Sequence, residues 1–220
     1  MIAFVGVGPG DPELLTLKAV RIIREADVVA VPKSGGGAGA AETIAASLLE
    51  GKEVLRLPMP MRGPREAWRE AHEQAAIALA ERLGRGENVA YLVLGDPMLY
   101  ATSSYLMALL KPRFEVRVVP GVTAMCAAAA ELCVPLCEDR ETLTILPGFE
   151  EGRALPDGSA VIMKAGGHLR EILAAGEGRE MYLARSIGME GAYAGPLSEA
   201  EADGRAYFST VLVRPGEVRK

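Results

Sequence analysis

The opening of the chain constrains its fold more than any other feature. Ile2-Ala3-Phe4-Val5 is apolar at every position, and Gly6-Val7-Gly8-Pro9-Gly10 follows at once. A strand with no polar face has to be covered on both sides, which is the situation of a parallel sheet sandwiched between helices. Asp11-Pro12 then reads as an N-cap with proline at the first helical position. Leu15, Ala19, Ile22, Ile23 and Ala26 recur on one face of the helix so begun. Val28-Val29-Ala30-Val31 is a second wholly apolar run, so the first unit is strand, glycine turn, helix, strand.

The alternation continues. Helices are expected from Glu42 to Leu49, Pro64 to Leu83, Thr102 to Leu110 and Thr123 to Leu132, with strands at Val54 to Leu57, Val89 to Leu94 and Val116 to Val119. Such a pattern implies an α/β layer structure with right-handed crossovers. Beyond Pro120 the balance changes. Strands at Leu143 to Leu146, Ala160 to Lys164, Met181 to Ala184 and Thr210 to Arg214 outnumber a single helix near Leu169 to Ala174. The expected architecture is therefore two α/β domains, residues 1–120 and 121–220, with a ligand cleft between them.

With 50% hydrophobic and 24% charged residues, the 220-residue chain can build proper cores. A net charge of -5 argues against a nucleic-acid partner, whose phosphates require a basic footprint. The most membrane-like window, Val118 to Cys137, is divided by Pro120, Gly121 and Pro135, so no membrane span is expected. Met1-Ile2-Ala3-Phe4 runs straight into the first strand without a basic segment, and a cytoplasmic location is expected. Cys126, Cys133 and Cys137 lack the Cys-x-x-Cys spacing of metal sites and read as packing residues in a reducing compartment. His72 and His168 read as surface or structural residues, and no metal centre is expected. Ser34-Gly35-Gly36-Gly37-Ala38-Gly39 lacks the Lys-Ser/Thr of a phosphate-binding loop and reads as a flexible connection.

Three strand-end turns carry the chemistry. Gly6-x-Gly8-x-Gly10 suggests a ligand approached by bare backbone at a helix N-terminus. It departs from the G-x-G-x-x-G spacing of dinucleotide sites, and the second strand ends in Pro32-Lys33 where such sites carry a ribose-binding acid. Gly95-Asp96-Pro97 closes the Val89 to Leu94 strand. There a glycine admits a flat ligand, Asp96 offers a carboxylate and Pro97 rigidifies the exit. Val119-Pro120-Gly121-Val122-Thr123-Ala124 provides a third backbone approach, with Thr123 as a plausible helix cap. Each turn alone has a structural reading as an ordinary tight turn; the three together point to a nucleotide-like ligand.

Taken in order, these turns resemble the tetrapyrrole methylase family. In that family Gly-Val-Gly-Pro-Gly-Asp-Pro-x-Leu-Leu-Thr opens the chain, Gly-Asp-Pro follows a middle strand, and Val-Pro-Gly-x-Thr/Ser-Ala marks the domain junction. The match spans residues 2 to about 137, with weaker similarity at Leu143 to Pro147, Val161 to Lys164 and Ala184-Arg185. Gly95 to Thr102 and Cys133 to Glu138 look like the branch that methylates carbon 20 of precorrin-2 or cobalt-factor II in cobalamin biosynthesis.

The resemblance implies two α/β domains, each with a mixed sheet, S-adenosylmethionine as the methyl donor, and a homodimer. It carries donor contacts onto Pro9, Leu94, Gly95, Asp96, Leu99, Tyr100, Thr123, Ala124, Met163 and Ala184. A substrate edged with carboxylates calls for cations, and Arg62, Arg65 and Lys33 are the candidates, with Arg69 one turn beyond Arg65. Glu66 and Glu70 interleave with these arginines, so a solvated helix face is the plainer reading. No general base is assigned. A sibling enzyme acting at another ring carbon is the nearest alternative, followed by a nucleotide-dependent oxidoreductase or a non-catalytic binding module.

Overall fold

The computed structural model describes residues 1–35, 37–60, 64–200 and 206–216. The chain divides into two compact units, Met1–Thr123 and Ala124–Lys220, so Gly121 to Thr123 belong with the first unit and not the second.

The first unit is a five-stranded sheet between helical layers. Its strands are β1 (Ile2–Gly6), β2 (Val28–Lys33), β3 (Glu53–Pro58), β4 (Val89–Val93) and β5 (Val116–Val119), in the order β3-β2-β4-β1-β5. Every ladder in it is parallel. Strand alternation sends Ile2, Phe4, Val28, Ala30, Val89 and Tyr91 to one face, where they meet α3 (Arg65–Gly84) and α4 (Ser103–Leu110) through Leu79, Leu83, Leu106 and Leu110. Ala3, Val5, Val29, Val31, Ala90 and Leu92 point the other way, onto Ile22 and Ile23 of α1 (Leu17–Glu25) and Ile44 of α2 (Ala40–Ile44). β1 and β4 are buried at every position, as their unbroken apolar runs require.

Two expected helices begin or end elsewhere. Asp11 does accept a hydrogen bond, from the Glu13 amide at 2.8 Å, yet it caps only a 3₁₀ turn at Pro12–Leu14. Thr16 caps α1 itself, accepting from the Ala19 amide at 3.1 Å. The segment read as one helix from Glu42 to Leu49 is a short α2 followed by a 3₁₀ turn at Ala46–Leu48. In both places a run of helix-compatible residues hides a break that only local hydrogen bonding reveals.

The second unit mixes strand directions. Its sheet runs β6 (Leu143–Leu146), β7 (Ser159–Met163), β10 (Ser209–Arg214), β8 (Glu180–Arg185), β9 (Tyr193–Pro196). β6 and β7 are parallel, and the remaining ladders are antiparallel. The core packs Leu146, Ile162, Leu183, Val211 and Val213 against Ile172 of α6 (Leu169–Ala175), while α5 (Ala124–Leu132) packs against β8, β9 and β10. The edge strand β9 was not expected from its Gly195-Pro196 composition, which only a sheet edge tolerates. Among the described residues no helix is long and apolar enough to cross a membrane.

A buried cation ties this unit together. Arg214, 8% exposed, donates to Glu138 at 2.8 Å, to Glu141, and to the Ser159 hydroxyl at 3.0 Å. The Glu138 amide donates to Glu141 at 2.9 Å, and this bond, with the Arg214 charge, holds the Glu141 carboxyl below its ordinary range. A depressed folded-state value contributes stability that is present above the ordinary carboxylate pKa and lost as pH falls through the lower one. Thermal unfolding should therefore show the melting temperature dropping as pH falls below about 4. Glu141→Gln should melt earlier at neutral pH and show a shallower acid dependence; an unchanged profile would remove Glu141 from the acid response.

Candidate functional site

Three strand ends converge in the first unit because β4, β1 and β5 are neighbours and all run in one direction. Their carboxyl ends, and the turns that follow, must therefore emerge side by side, the place where open α/β sheets receive ligands. The Gly95 amide donates to the Gly8 carbonyl at 2.8 Å, and the Gly8 amide returns a longer bond of 3.4 Å, so the first two turns form a small bridge.

The third turn is joined more closely still. A methyl group placed on Gly121 would lie 2.2 Å from the Gly95 carbonyl oxygen and 2.9 Å from the Gly6 Cα. One placed on Gly6 would lie 2.6 Å from the Gly121 amide nitrogen. Neither position has room for any side chain, because backbone meets backbone. Gly95 differs. Its φ of +70° favours glycine, and a Cβ there would meet nothing closer than the Val122 carbonyl oxygen at 4.0 Å. The Cα of Gly95, though buried, thus has clearance that Gly6 and Gly121 lack.

Asp96 fastens this joint. Its Oδ1 accepts from the Met98 amide at 2.7 Å, turning the loop on itself, and its Oδ2 accepts from the Gly121 amide at 2.9 Å. The loop that leaves it carries Met98 and Tyr100 outward, 69% and 48% exposed, with Tyr100 in the left-handed region at φ 48°.

The residues singled out in the sequence fall into groups. Pro9, Leu94, Gly95, Asp96, Leu99 and Tyr100 lie on the first two turns, and Thr123 ends the same unit. Ala124, Met163 and Ala184 belong to the second unit. Met163 and Ala184 both pair with Thr210 on β10, so the three occupy one row across the sheet. Thr210, 6% exposed, was not singled out, since no sequence signal shows which β10 residue falls between the other two. Lys33 closes β2 half-buried, and Arg65 opens α3 as an exposed residue; neither sits at the glycine joint. Arg69 pairs with Glu73 at 3.8 Å in the ordinary manner of an exposed helix face. Arg62 lies outside the described residues.

His72 takes the structural alternative. It is 3% exposed, donates from Nδ1 to the Trp68 carbonyl at 2.8 Å and forms an aromatic cluster with Trp68 and Tyr105. The three cysteines are not packing residues: Cys126 is exposed on α5, which turns only Ala127 and Ala128 fully inward, and Cys133 and Cys137 are exposed in the segment that follows it. Among the described residues no group of His, Cys, Asp and Glu could hold a metal ion.

The tight joint makes a direct prediction. Gly121→Ala must push the Gly95 and Gly6 backbones apart, and overpacking of this kind costs about 1–3 kcal/mol. Urea denaturation should show that loss, whereas Gly95→Ala should cost less through crowding and more through its left-handed backbone.

Comparison with known proteins extends this picture. The family described as Tetrapyrrole (Corrin/Porphyrin) Methylases matches residues 1–201. The chain is 37% identical to a precorrin-2 C(20)-methyltransferase from Sinorhizobium sp, over 96% of this chain and 94% of that protein. It is 31% identical to a cobalt-precorrin-2 C(20)-methyltransferase from Salmonella typhimurium, over 77% of this chain and 75% of that protein. A solved cobalt precorrin-4 methyltransferase of cobalamin biosynthesis shares the fold, with a TM-score of 0.74 and 21% identity over 97% of this chain and 94% of that chain. With three glycine turns joined at adjacent strand ends and a family match running through both units, the chain belongs to the tetrapyrrole (corrin/porphyrin) methylases.

Proposed function

We propose that this chain transfers a methyl group from S-adenosylmethionine to carbon 20 of precorrin-2 or cobalt-factor II in cobalamin biosynthesis. The observation that carries the reading is identity of 37% along 96% of the chain to a relative named for that reaction. The Gly95 to Thr102 pattern supports the same ring position. For the donor, the support is the Gly95 backbone, which has clearance for a Cβ, at the end of β4 in a turn that carries Met98 and Tyr100 outward, a setting that suits a ligand part apolar and part polar.

A sulfonium donor carries its own activation and supplies the methyl group as an electrophile. The chain therefore has to hold and align two reactants, and needs no nucleophilic side chain. Pro9, Leu94, Gly95, Leu99, Tyr100 and Thr123 contact the donor in this reading, with Asp96 contributing its backbone. The family resemblance assigns Ala124, Met163 and Ala184 to the donor as well. Lys33, Arg62 and Arg65 pair with carboxylates of the tetrapyrrole.

Calorimetry should find one site per subunit for S-adenosylmethionine or its demethylated product, and the absence of heat with either would sink the donor assignment. Turnover of metal-free precorrin-2 against cobalt-factor II should show a preference for one, and no methylation of either would remove the carbon-20 assignment. The assembly we propose is a homodimer. Sedimentation at micromolar concentration should give twice the chain mass, and a monomer would count against it.

A further inference from the structure

We infer that Asp96 is a positioning residue whose carboxylate holds the donor-binding turns in register and does not itself touch the donor. The inference rests on the donor reading above and deepens it. A carboxylate at the carboxyl end of a strand beside a glycine invites the opposite reading, in which it accepts from a ribose hydroxyl or meets the ammonium of the methionine half. Each of its two oxygens already accepts a bond within the chain, and the pair of bonds fixes the carboxylate's orientation toward the joint. Oδ1 closes the turn to the Met98 amide, and Oδ2 reaches across to the Gly121 amide, 25 residues away in sequence.

The second bond is the informative one. A two-residue Asp turn is common and explains Oδ1 alone. The bond to Gly121 joins the turn after β4 to the turn after β5, and these turns flank β1 on opposite sides. No ladder hydrogen bond can link them, since β4 and β5 are not neighbours. Gly6, between them, contributes only contact: its Cα faces the Gly121 amide and the Gly95 carbonyl with no room for a methyl. The carboxylate of Asp96 thus supplies a polar tie across a gap that the sheet leaves open. A part-buried Gly121 amide deprived of it would have to find another acceptor or stay unpaired. Because the ligand is met by backbone at these turns, their spacing sets the fit, and the residue that sets the spacing governs affinity without touching the ligand.

The test compares ligands rather than variants alone. Asp96→Ala should weaken S-adenosylhomocysteine, 5′-methylthioadenosine and the 2′- and 3′-deoxy forms of the latter by one common factor, about ten- to a hundredfold. A direct ligand would behave differently. Unchanged affinity for 5′-methylthioadenosine would assign the carboxylate to the methionine half, and a deoxy analogue insensitive to the substitution would assign it to the ribose; either overturns the inference.

Amide exchange by NMR in the ligand-free protein provides an independent arm. The Gly121 amide should exchange at least about tenfold faster in Asp96→Ala than in the wild type, and equal rates would also overturn the inference. Should the alanine variant fail to fold, Asp96→Asn separates the two bonds. Its amide oxygen can keep the Met98 turn while its amino group faces the Gly121 N–H donor to donor, so Gly121 exchange and the common loss of affinity should still appear. If the wild-type protein binds none of these ligands, the donor reading fails, and the exchange measurement still decides whether Asp96 ties the turns.

Discussion

The first unit is organised around a contact between backbones. Gly6, Gly95 and Gly121 approach until no side chain fits at the first and third, and the Asp96 carboxylate closes the assembly by taking the Gly121 amide. Parallel strands make this possible, since only strands running in one direction bring successive carboxyl ends to one edge of a sheet. The strand order makes it specific. With β1 between β4 and β5, the chain's first turn becomes the centre of the joint, and the turns reached much later in sequence become its two sides.

Such a joint accounts for the rest of the unit's design. Turns that touch through backbone cannot adjust by rotating side chains, so their spacing depends on a rigid sheet beneath. β1 and β4 provide it through complete burial, with α3 and α4 on one face and α1 and α2 on the other. Beyond α1, the Lys52 ammonium donates to the Arg24 and Ala26 carbonyls and ties the end of that helix to the segment before β3. The second unit is held on different terms. Its mixed sheet encloses Arg214 at the end of a buried strand, and the pairing of that cation with Glu138 and Glu141 anchors the segment between α5 and β6. That segment includes Glu138, which closes the Cys133 to Glu138 stretch resembling the carbon-20 branch.

Residues that looked alike in sequence separate in the structure by what surrounds them. Asp96 and Asp11 both precede proline, yet Asp11 caps a single 3₁₀ turn, while Asp96 spans two turns. The glycines of the three turns also divide. Gly6 and Gly121 are demanded by close approach, whereas Gly95 is favoured by its left-handed backbone and has clearance for a Cβ. His72, with no sequence feature to distinguish it from a surface residue, is buried in a cluster with Trp68 and Tyr105 because α4 lies against α3.

The sequence by itself determined the α/β class, nearly every strand, and the three glycine turns that meet at adjacent strand ends. These rest on local physics: an unbroken apolar run must be buried on both faces, and glycine and proline punctuate a chain wherever they occur. It could not determine that Asp11 and Thr16 cap different elements, that Tyr193–Pro196 forms an edge strand, or that Thr210 stands between Met163 and Ala184. Nor could it reveal where the Asp96 carboxylate points. Those outcomes depend on strand order and register, which bring together residues far apart in the chain, and a hydrogen bond across 25 residues leaves no periodic trace in the order of amino acids.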